Sequence, residues 1–328
     1  VPDPSIVEEY VLSLYRLLLK REPDELGWQS WCSFMNNAGP DGFKDVLAHV
    51  VNSDEYKSLY SVSGRDNDLE RFKAFDFDAL DTQTLCALFE RTATYWRGAG
   101  SDPKELYWSV LSHDAFRGHL SHKTIQNFLA SGKYDVDKMI KIFDFLGLRF
   151  DDCREYLEFG CGVGRLVVNL PSSIQTINCV DFSSAHLREA EHNIKRQGLR
   201  GNYLFHGIDS FLDLHKLPKN QDIIHSFIVL QHNTPPIIEK TIQILLGLLS
   251  VGGLAILHVP IAKASYRFDV EEYLHAQNSG QSMEMHILPK ANLYKLAKKS
   301  GCNIVYSFCD GGCGGDIYSE IVVFQRQQ

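Results

Sequence analysis

Tyr156-Leu157-Glu158-Phe159-Gly160-Cys161-Gly162-Val163-Gly164-Arg165 joins a short apolar strand to a glycine-rich turn at the head of a predicted helix. Gly160, Gly162 and Gly164 lack Cβ atoms, so the backbone can take positive φ and let a ligand approach, with N–H groups of the next helix aimed at it. The spacing predicts a pocket for a nucleotide-like cofactor. A dinucleotide-binding turn calls for glycine where this chain has Arg165, and it does not require an acid two residues before its first glycine. Glu158 occupies that place. Taken alone, the stretch can also be read as a tight strand-to-helix turn without a ligand, since short glycine motifs recur by accident.

The sequence downstream extends the first reading. Residues 174–180 form a predicted buried strand ending in Asp181, and Ser183-Ser184 can cap a helix over 185–197. An acid at such a strand end can accept two ribose hydroxyls, as NAD enzymes also arrange, so Asp181 supports a nucleoside without choosing it. A third strand over 202–206 runs into Asp209-Ser210, where Asp209 by itself reads as a solvated loop acid. A fourth strand, 222–228, leads into Gln231-His232-Asn233-Thr234-Pro235-Pro236, whose prolines start a helix. Gly252-Gly253 then precede the apolar strand 254–259.

These segments together resemble the class I S-adenosylmethionine (SAM)-dependent methyltransferases, of the bacterial small-molecule and glycan type. The resemblance implies an α/β fold: a Rossmann-like seven-stranded methyltransferase sheet with a helical cap. It implies SAM as cofactor and S-adenosylhomocysteine as product. Glu158 and the backbone of Gly160, Gly162 and Gly164 would hold the methionyl end, and Asp209 would lie near the adenine amino group. Cys161, Arg165, Asp181, Phe182, Ser210, Ser226 and Gln231 complete the implied cofactor set.

Composition bounds the alternatives. A formal net charge of −8 over 328 residues, without a Lys/Arg cluster, argues against a nucleic-acid partner, because phosphate binding needs a basic footprint. No apolar run is long enough to cross a bilayer and no signal-peptide pattern opens the chain, so a cytoplasmic enzyme is expected. The eight cysteines form no Cys-x-x-Cys pair, which predicts reduced thiols rather than disulfides or zinc. Cys309 and Cys313 come nearest to a metal pattern, in an expected turn between the last two strands, but lack a second ligand pair. No acid pair follows the fourth strand, so metal-independent transfer is expected and no metal ligand is assigned.

The amino-terminal region is of another kind. Apolar residues at helical spacing predict a helix over 6–20, a break at Pro23 and Gly27, and helices over 28–36, 43–51 and 53–60, with a loop at 39–42. Tyr15, Trp28, Trp31 and Phe34 fall where a small bundle needs core, and Asp24 and Glu25 read as a solvated turn rather than a calcium loop. The string from Leu14 to Trp28, closing with 52–56, resembles an uncharacterised bacterial helical domain that recurs beside glycan-modifying and surface-protein modules. The resulting division is a helical accessory domain at 1–62, a linker helix region at 63–92, a helical cap at 93–150 and the SAM-binding domain at 151–328, with the polar stretch 61–68 spanning the first boundary. The resemblance makes the cap a cover for the cofactor and acceptor. Trp96 and Trp108 read equally as core or as pocket wall.

The sulfonium of SAM already makes its methyl group electrophilic, so positioning is the main task of such a site. A sugar hydroxyl would also need a base. His232, just past the fourth strand, is the first candidate, its competing role being a fixed hydrogen bond to the turn that follows; His286 is the second. His225 and His258 lie inside strands and read as structural. Residues 260–288 should lie over the acceptor, and with Trp108, Tyr266, Arg267 and Tyr273 as substrate contacts they suit a hydroxylated molecule. The sequence thus predicts methyl transfer to a small-molecule or glycan acceptor, foremost a sugar hydroxyl. N- or C-methylation of another metabolite, and a SAM-binding interaction module without chemistry, are the alternatives. The amino-terminal bundle is left for a protein or glycan partner.

Overall fold

The computed structural model describes residues 4–19, 21–38, 42–53, 55, 74–263, 266–277, 280–310, 312–313 and 317–327. The chain divides into two compact units, residues 1–70 and 71–328.

In the first unit, α1 (Pro4–Leu14) runs into a π-helical turn, Tyr15–Leu19, and is followed by α2 (Glu25–Ala38) and α3 (Gly42–Asn52). Val7, Val11 and Leu14 lie one helical turn apart and bury against Met35, Val46 and Val50. Gly27 does not break the pattern: it sits inside the first turn of α2, where its N–H donates to Asp24 Oδ1 at 2.9 Å. Tyr15 is buried, and Trp28 and Trp31 pack half-buried against the core. Phe34 departs from the expectation, at 38% exposed. The buried stripe of α2 runs Trp28, Trp31, Cys32, Met35, and Phe34 falls off that face. Of the loop expected at 39–42, Gly42 instead opens α3, and residues 39–41, most of the fourth helix and the linker at 61–68 lie outside the described residues.

The second unit is built on a seven-stranded sheet of order β3-β2-β1-β4-β5-β7-β6. The strands are β1 (Glu155–Phe159), β2 (Thr176–Asp181), β3 (Asn202–Gly207), β4 (Gln221–Ser226), β5 (Leu249–Lys263), β6 (Cys302–Cys309) and β7 (Ile317–Arg326). β1 to β5 pair in parallel, and β7 inserts antiparallel between β5 and β6. Helices cover both faces, which is why the strands read as continuous apolar runs. Leu157 and Phe159 enter one core with Ile224, Leu257 and Phe324, while Tyr156 enters the other with Ile177, Ile223 and Ile256. β5 is longer than the sequence predicts: it begins at Leu249, passes Gly252 at φ 81°, and continues to Lys263 against β7.

The helices of this unit are α4 (Thr82–Ser101), α5 (His122–Phe145), α6 (Ser184–Arg196), α7 (Pro235–Leu248), the short α8 (Val270–His275) and α9 (Lys290–Lys299). Asp81 caps α4, which runs unbroken through positions 92 and 93. Ser183 caps α6 through the His186 N–H, and proline opens α7. One expectation fails. No α-helix follows the glycine turn: residues 162–166 form successive turns and end in a single 3₁₀ turn, Val167–Asn169. Pro171 disfavours helical geometry at Leu170, and the stretch before it is too short to nucleate a helix. Among the described residues no helix is long and apolar enough to cross a membrane.

Candidate active site

The strand order reverses direction between β1 and β4, and ligands of open α/β sheets bind beyond the carboxyl ends at such a point. A cavity of about 170 Å³ lies there. Its floor includes the start of the glycine turn, Gly160 to Gly162, and the three glycines of the turn, Gly160, Gly162 and Gly164, stand at φ 79°, 53° and 83°, the left-handed region the spacing anticipates. The turn's amides are committed within the chain: Gly160 and Cys161 donate to the Val180 carbonyl, and Gly162 donates to Asp181 Oδ2 at 2.9 Å. Neighbours crowd the missing side chains. A Cβ on Gly160 would lie 2.3 Å from Val229, and one on Gly162 would lie 2.7 Å from Val110.

Glu158 and Arg165 are the ionisable groups of this floor. The Glu158 carboxyl is buried and Oε2 has no hydrogen-bond partner. Burial pushes its pKa up to about 8, Arg165 opposes the shift, and Asp135 and Asp181 add to it. Arg165 does not pair with Glu158; it donates to Asp135 Oδ2 at 2.6 Å on α5. A buried carboxyl group with an orphaned oxygen beside a glycine cradle fits a ligand that brings its own donor, or a cation that would favour the ionised form. At the end of β2, Asp181 accepts from the N–H groups of Gly162 and Ser183 and faces the same cavity, with Phe182 beside it.

The opposite wall comes from farther along the chain. Trp96 of α4, with Ser109 and Val110 from the turns after it, meets Ile228, Val229, His232 and Asn233 from beyond β4. Ile228 sits at φ 55°, a left-handed conformation that costs a β-branched residue energy. The His232 ring lies 4.8 Å from the Trp96 ring. Its Nδ1 donates to the Glu284 carbonyl at 3.0 Å, so the fixed contact is to the segment after β5 and not to the turn that follows His232. That bond leaves Nε2 as an acceptor. Burial lowers the His232 pKa to about 4, so the ring is neutral at pH 7.

The remaining expected residues divide by position. Cys161 lines the cavity, whereas Gly164 packs beside Ala190 of α6. Asp209 is exposed, its carbonyl accepting from Arg97, and Ser210 caps the 3₁₀ turn Phe211–Lys216; neither lines the cavity. The Ser226 hydroxyl donates to the Phe159 carbonyl, and Gln231 is buried with its carbonyl accepting from the His286 N–H. Trp108 lies under the Arg117 guanidinium, 4.4 Å from its ring centre, and is not part of the cavity lining; Trp96 takes the place expected of it. Arg267 pairs with Glu272 at the surface. Tyr266, Tyr273 and His286 form one network with Glu284: Tyr273 donates to Glu284 Oε2 at 2.7 Å, His286 Nε2 lies 3.0 Å from the same oxygen, and Tyr266 meets His286 Nδ1 at 2.7 Å. This network anchors the segment whose carbonyl holds His232. His258 lies 3.2 Å from Asp310, and Ser319 donates to the same carboxylate. No group of His, Cys, Asp or Glu among the described residues has the geometry to hold a metal ion. Sequence reasoning missed Ser109, Asp135 and His186, because no spacing links them to the glycine turn.

Comparison with known proteins places this geometry. Residues 157–253 match a family model described as a methyltransferase domain. The fold is similar to that of magnesium protoporphyrin IX methyltransferase from Synechocystis PCC 6803 solved with S-adenosylhomocysteine, at TM-score 0.50 and 19% identity over 72% of this chain and 100% of that one. The same enzyme solved with SAM aligns at TM-score 0.50 and 18% identity over 77% of this chain and 100% of that one. A SAM-dependent methyltransferase from Clostridium acetobutylicum aligns at TM-score 0.43 and 15% identity, over 59% and 91% of the two chains. No curated protein sequence matches the chain.

Proposed function

We propose that this SAM-dependent methyltransferase transfers its methyl group to a hydroxyl of a sugar or glycan acceptor. The observation that carries the reading is the pairing of Trp96 with His232 at the cavity wall. An indole offers a flat apolar face for the C–H side of a pyranose, and the free Nε2 beside it can take a hydroxyl proton.

Bound SAM would supply an electrophilic methyl group, and the chain's residues do the rest. Glu158, the glycine turn and Asp181 would hold the cofactor, Glu158 Oε2 gaining the partner it lacks. The Glu284 carbonyl fixes the His232 tautomer, so Nε2 keeps its lone pair. An imidazole of pKa about 4 is a weak base, so it takes the hydroxyl proton only as the new C–O bond forms. Alignment of acceptor and methyl group by the two walls contributes up to about 7–11 kcal/mol in well-oriented cases. We read residues 93–150 as the cap over this site, and the helical unit at the amino terminus as an accessory module for a protein or glycan partner.

The test is S-adenosylhomocysteine production from SAM with a panel of sugars, glycans, phenols and amines. Turnover on sugar hydroxyls that fails in His232→Ala supports the proposal. Turnover confined to amines overturns it.

A further inference from the structure

The cavity wall holds a polar relay that methyl transfer does not call for. Ser109 Oγ lies 2.9 Å from His186 Nε2, and His186 Nδ1 lies 3.4 Å from Asp181 Oδ1. All three residues line the cavity, and His186 is 3% exposed. A carboxylate only accepts, so Nδ1–H donates to Asp181, and the single Ser109 hydroxyl proton is shared between Nε2 and the Leu106 carbonyl 3.1 Å away. The order serine, histidine, aspartate is that of a nucleophile triad. Acyl transfer, however, needs free backbone donors beside the serine. Here the amides of Gly160 and Cys161 go to Val180, that of Gly162 to Asp181, and that of Gly164 to Cys161. The glycine turn therefore offers no oxyanion hole at these positions.

The relay instead joins two parts of the site. Ser109 belongs to the run of turns at 102–111 that follows α4. That run lies over the glycine turn through Val110 and is tied to α6 by the Tyr107 hydroxyl, which donates to Glu189 at 2.6 Å. At the other end, Asp181 Oδ2 receives the Gly162 N–H and Oδ1 receives the Ser183 N–H at 2.8 Å. His186 completes the donors around Oδ1. A carboxylate has about four acceptor positions, so these three protein donors leave one, on Oδ2, unused.

We propose that His186 is a positioning residue that couples the covering segment 102–111 to the carboxylate receiving the cofactor's ribose; the proposal rests on the cofactor reading above. Nδ1 aims Asp181, and Nε2 latches the segment through Ser109. The two functions are separable. Loss of the Nδ1 donor lets the carboxylate turn and weakens binding. Loss of the Nε2 contact frees the cover, so ligand enters and leaves faster while affinity changes little. Asparagine can stand in for the Nδ1 donor but is too short to reach Ser109.

The experiment uses the full chain and S-adenosylhomocysteine as the probe, with affinity from calorimetry, rates from stopped-flow tryptophan fluorescence, and circular dichroism to confirm folding. His186→Ala should weaken binding about tenfold, the loss of one hydrogen bond to a charged group. His186→Asn should recover affinity to within about threefold of wild type, yet share with Ser109→Ala association and dissociation rates raised about fivefold. Wild-type affinity in His186→Ala, or unchanged rates in both Ser109→Ala and His186→Asn, overturns the coupling while leaving the cofactor reading intact. If wild type does not bind the probe, or Asp181→Ala binds it as tightly as wild type, the cofactor reading falls and takes this proposal with it. Should His186→Ala misfold, the other two variants still decide the question.

Discussion

The two walls of the cavity are built on different length scales. The floor comes from one stretch, Glu158 to Arg165, with Asp181 next to it on the neighbouring strand. The facing wall is assembled from α4, the turns at 102–111, the chain after β4 and, through the Glu284 carbonyl, the segment after β5. Backbone conformation fixes the first, whereas side-chain packing and hydrogen bonds between distant segments fix the second. The floor should therefore be rigid and costly to deform, and the facing wall should carry the chemistry and acceptor choice.

The largest expected effect tests the facing wall. His232→Ala should lower kcat on a sugar acceptor about 10²–10⁴-fold, the usual range for a general base, with affinity for S-adenosylhomocysteine within about threefold of wild type. An equal loss of cofactor affinity would show that the walls are not separate. Next comes a test of the floor. A Cβ on Gly132 of α5 would lie 2.0 Å from the Arg165 carbonyl oxygen. Alanine normally gains about 1 kcal/mol over glycine inside a helix, but overpacking here should give a net loss of about 1–3 kcal/mol in urea unfolding. A stabilised Gly132→Ala variant would mean that the floor yields easily.

The third prediction concerns pH. Glu158 titrates near 8 in the folded chain and near 4.5 once unfolded, so the folded protein keeps a proton that the unfolded chain releases between those values. Its contribution is complete below about 4.5 and is lost as pH rises through about 8. Glu158→Gln stays neutral, so its ligand-free melting temperature should gain on wild type across that window, by an amount equivalent to about 1–2 kcal/mol. A constant difference from pH 5 to 8 would place the charge elsewhere. His225 and His232, lowered to about 3 and about 4 by burial, act in the opposite sense: their contribution is present above 6.5 and is lost as pH falls through those values. The smallest effect concerns Trp108. Trp108→Leu should cost about 0.5–1 kcal/mol of stability through the lost contact with Arg117, and should leave transfer unchanged. A fall in transfer would return Trp108 to the acceptor wall.

What is legible in the sequence follows the same division. Strand positions, the positive φ of the glycines, Asp181 at the end of β2 and the Ser183 cap can all be read there, because each depends on a few adjacent residues. The missing helix after Gly164 is also written locally, in Pro171, but the glycine spacing points toward a helix head. The Ser109–His186–Asp181 relay is not legible, since nothing in the spacing of three positions so far apart says that they meet. The same holds for the preference of the cavity for Trp96 over Trp108 and for the Glu284 carbonyl that holds His232. Phe34 falls on the outer side of its helix because aromatic content alone does not carry the phase of the buried stripe.

The conformation of Ile228 has a consequence for engineering this scaffold. Holding a β-branched residue at φ 55° costs on the order of 1–3 kcal/mol, and glycine at that position would relieve it. A selection for thermal tolerance should therefore favour Ile228→Gly early. Such a winner would lose an apolar wall residue and loosen the joint that carries His232, so a screen scored on survival alone would trade turnover for heat resistance at this residue.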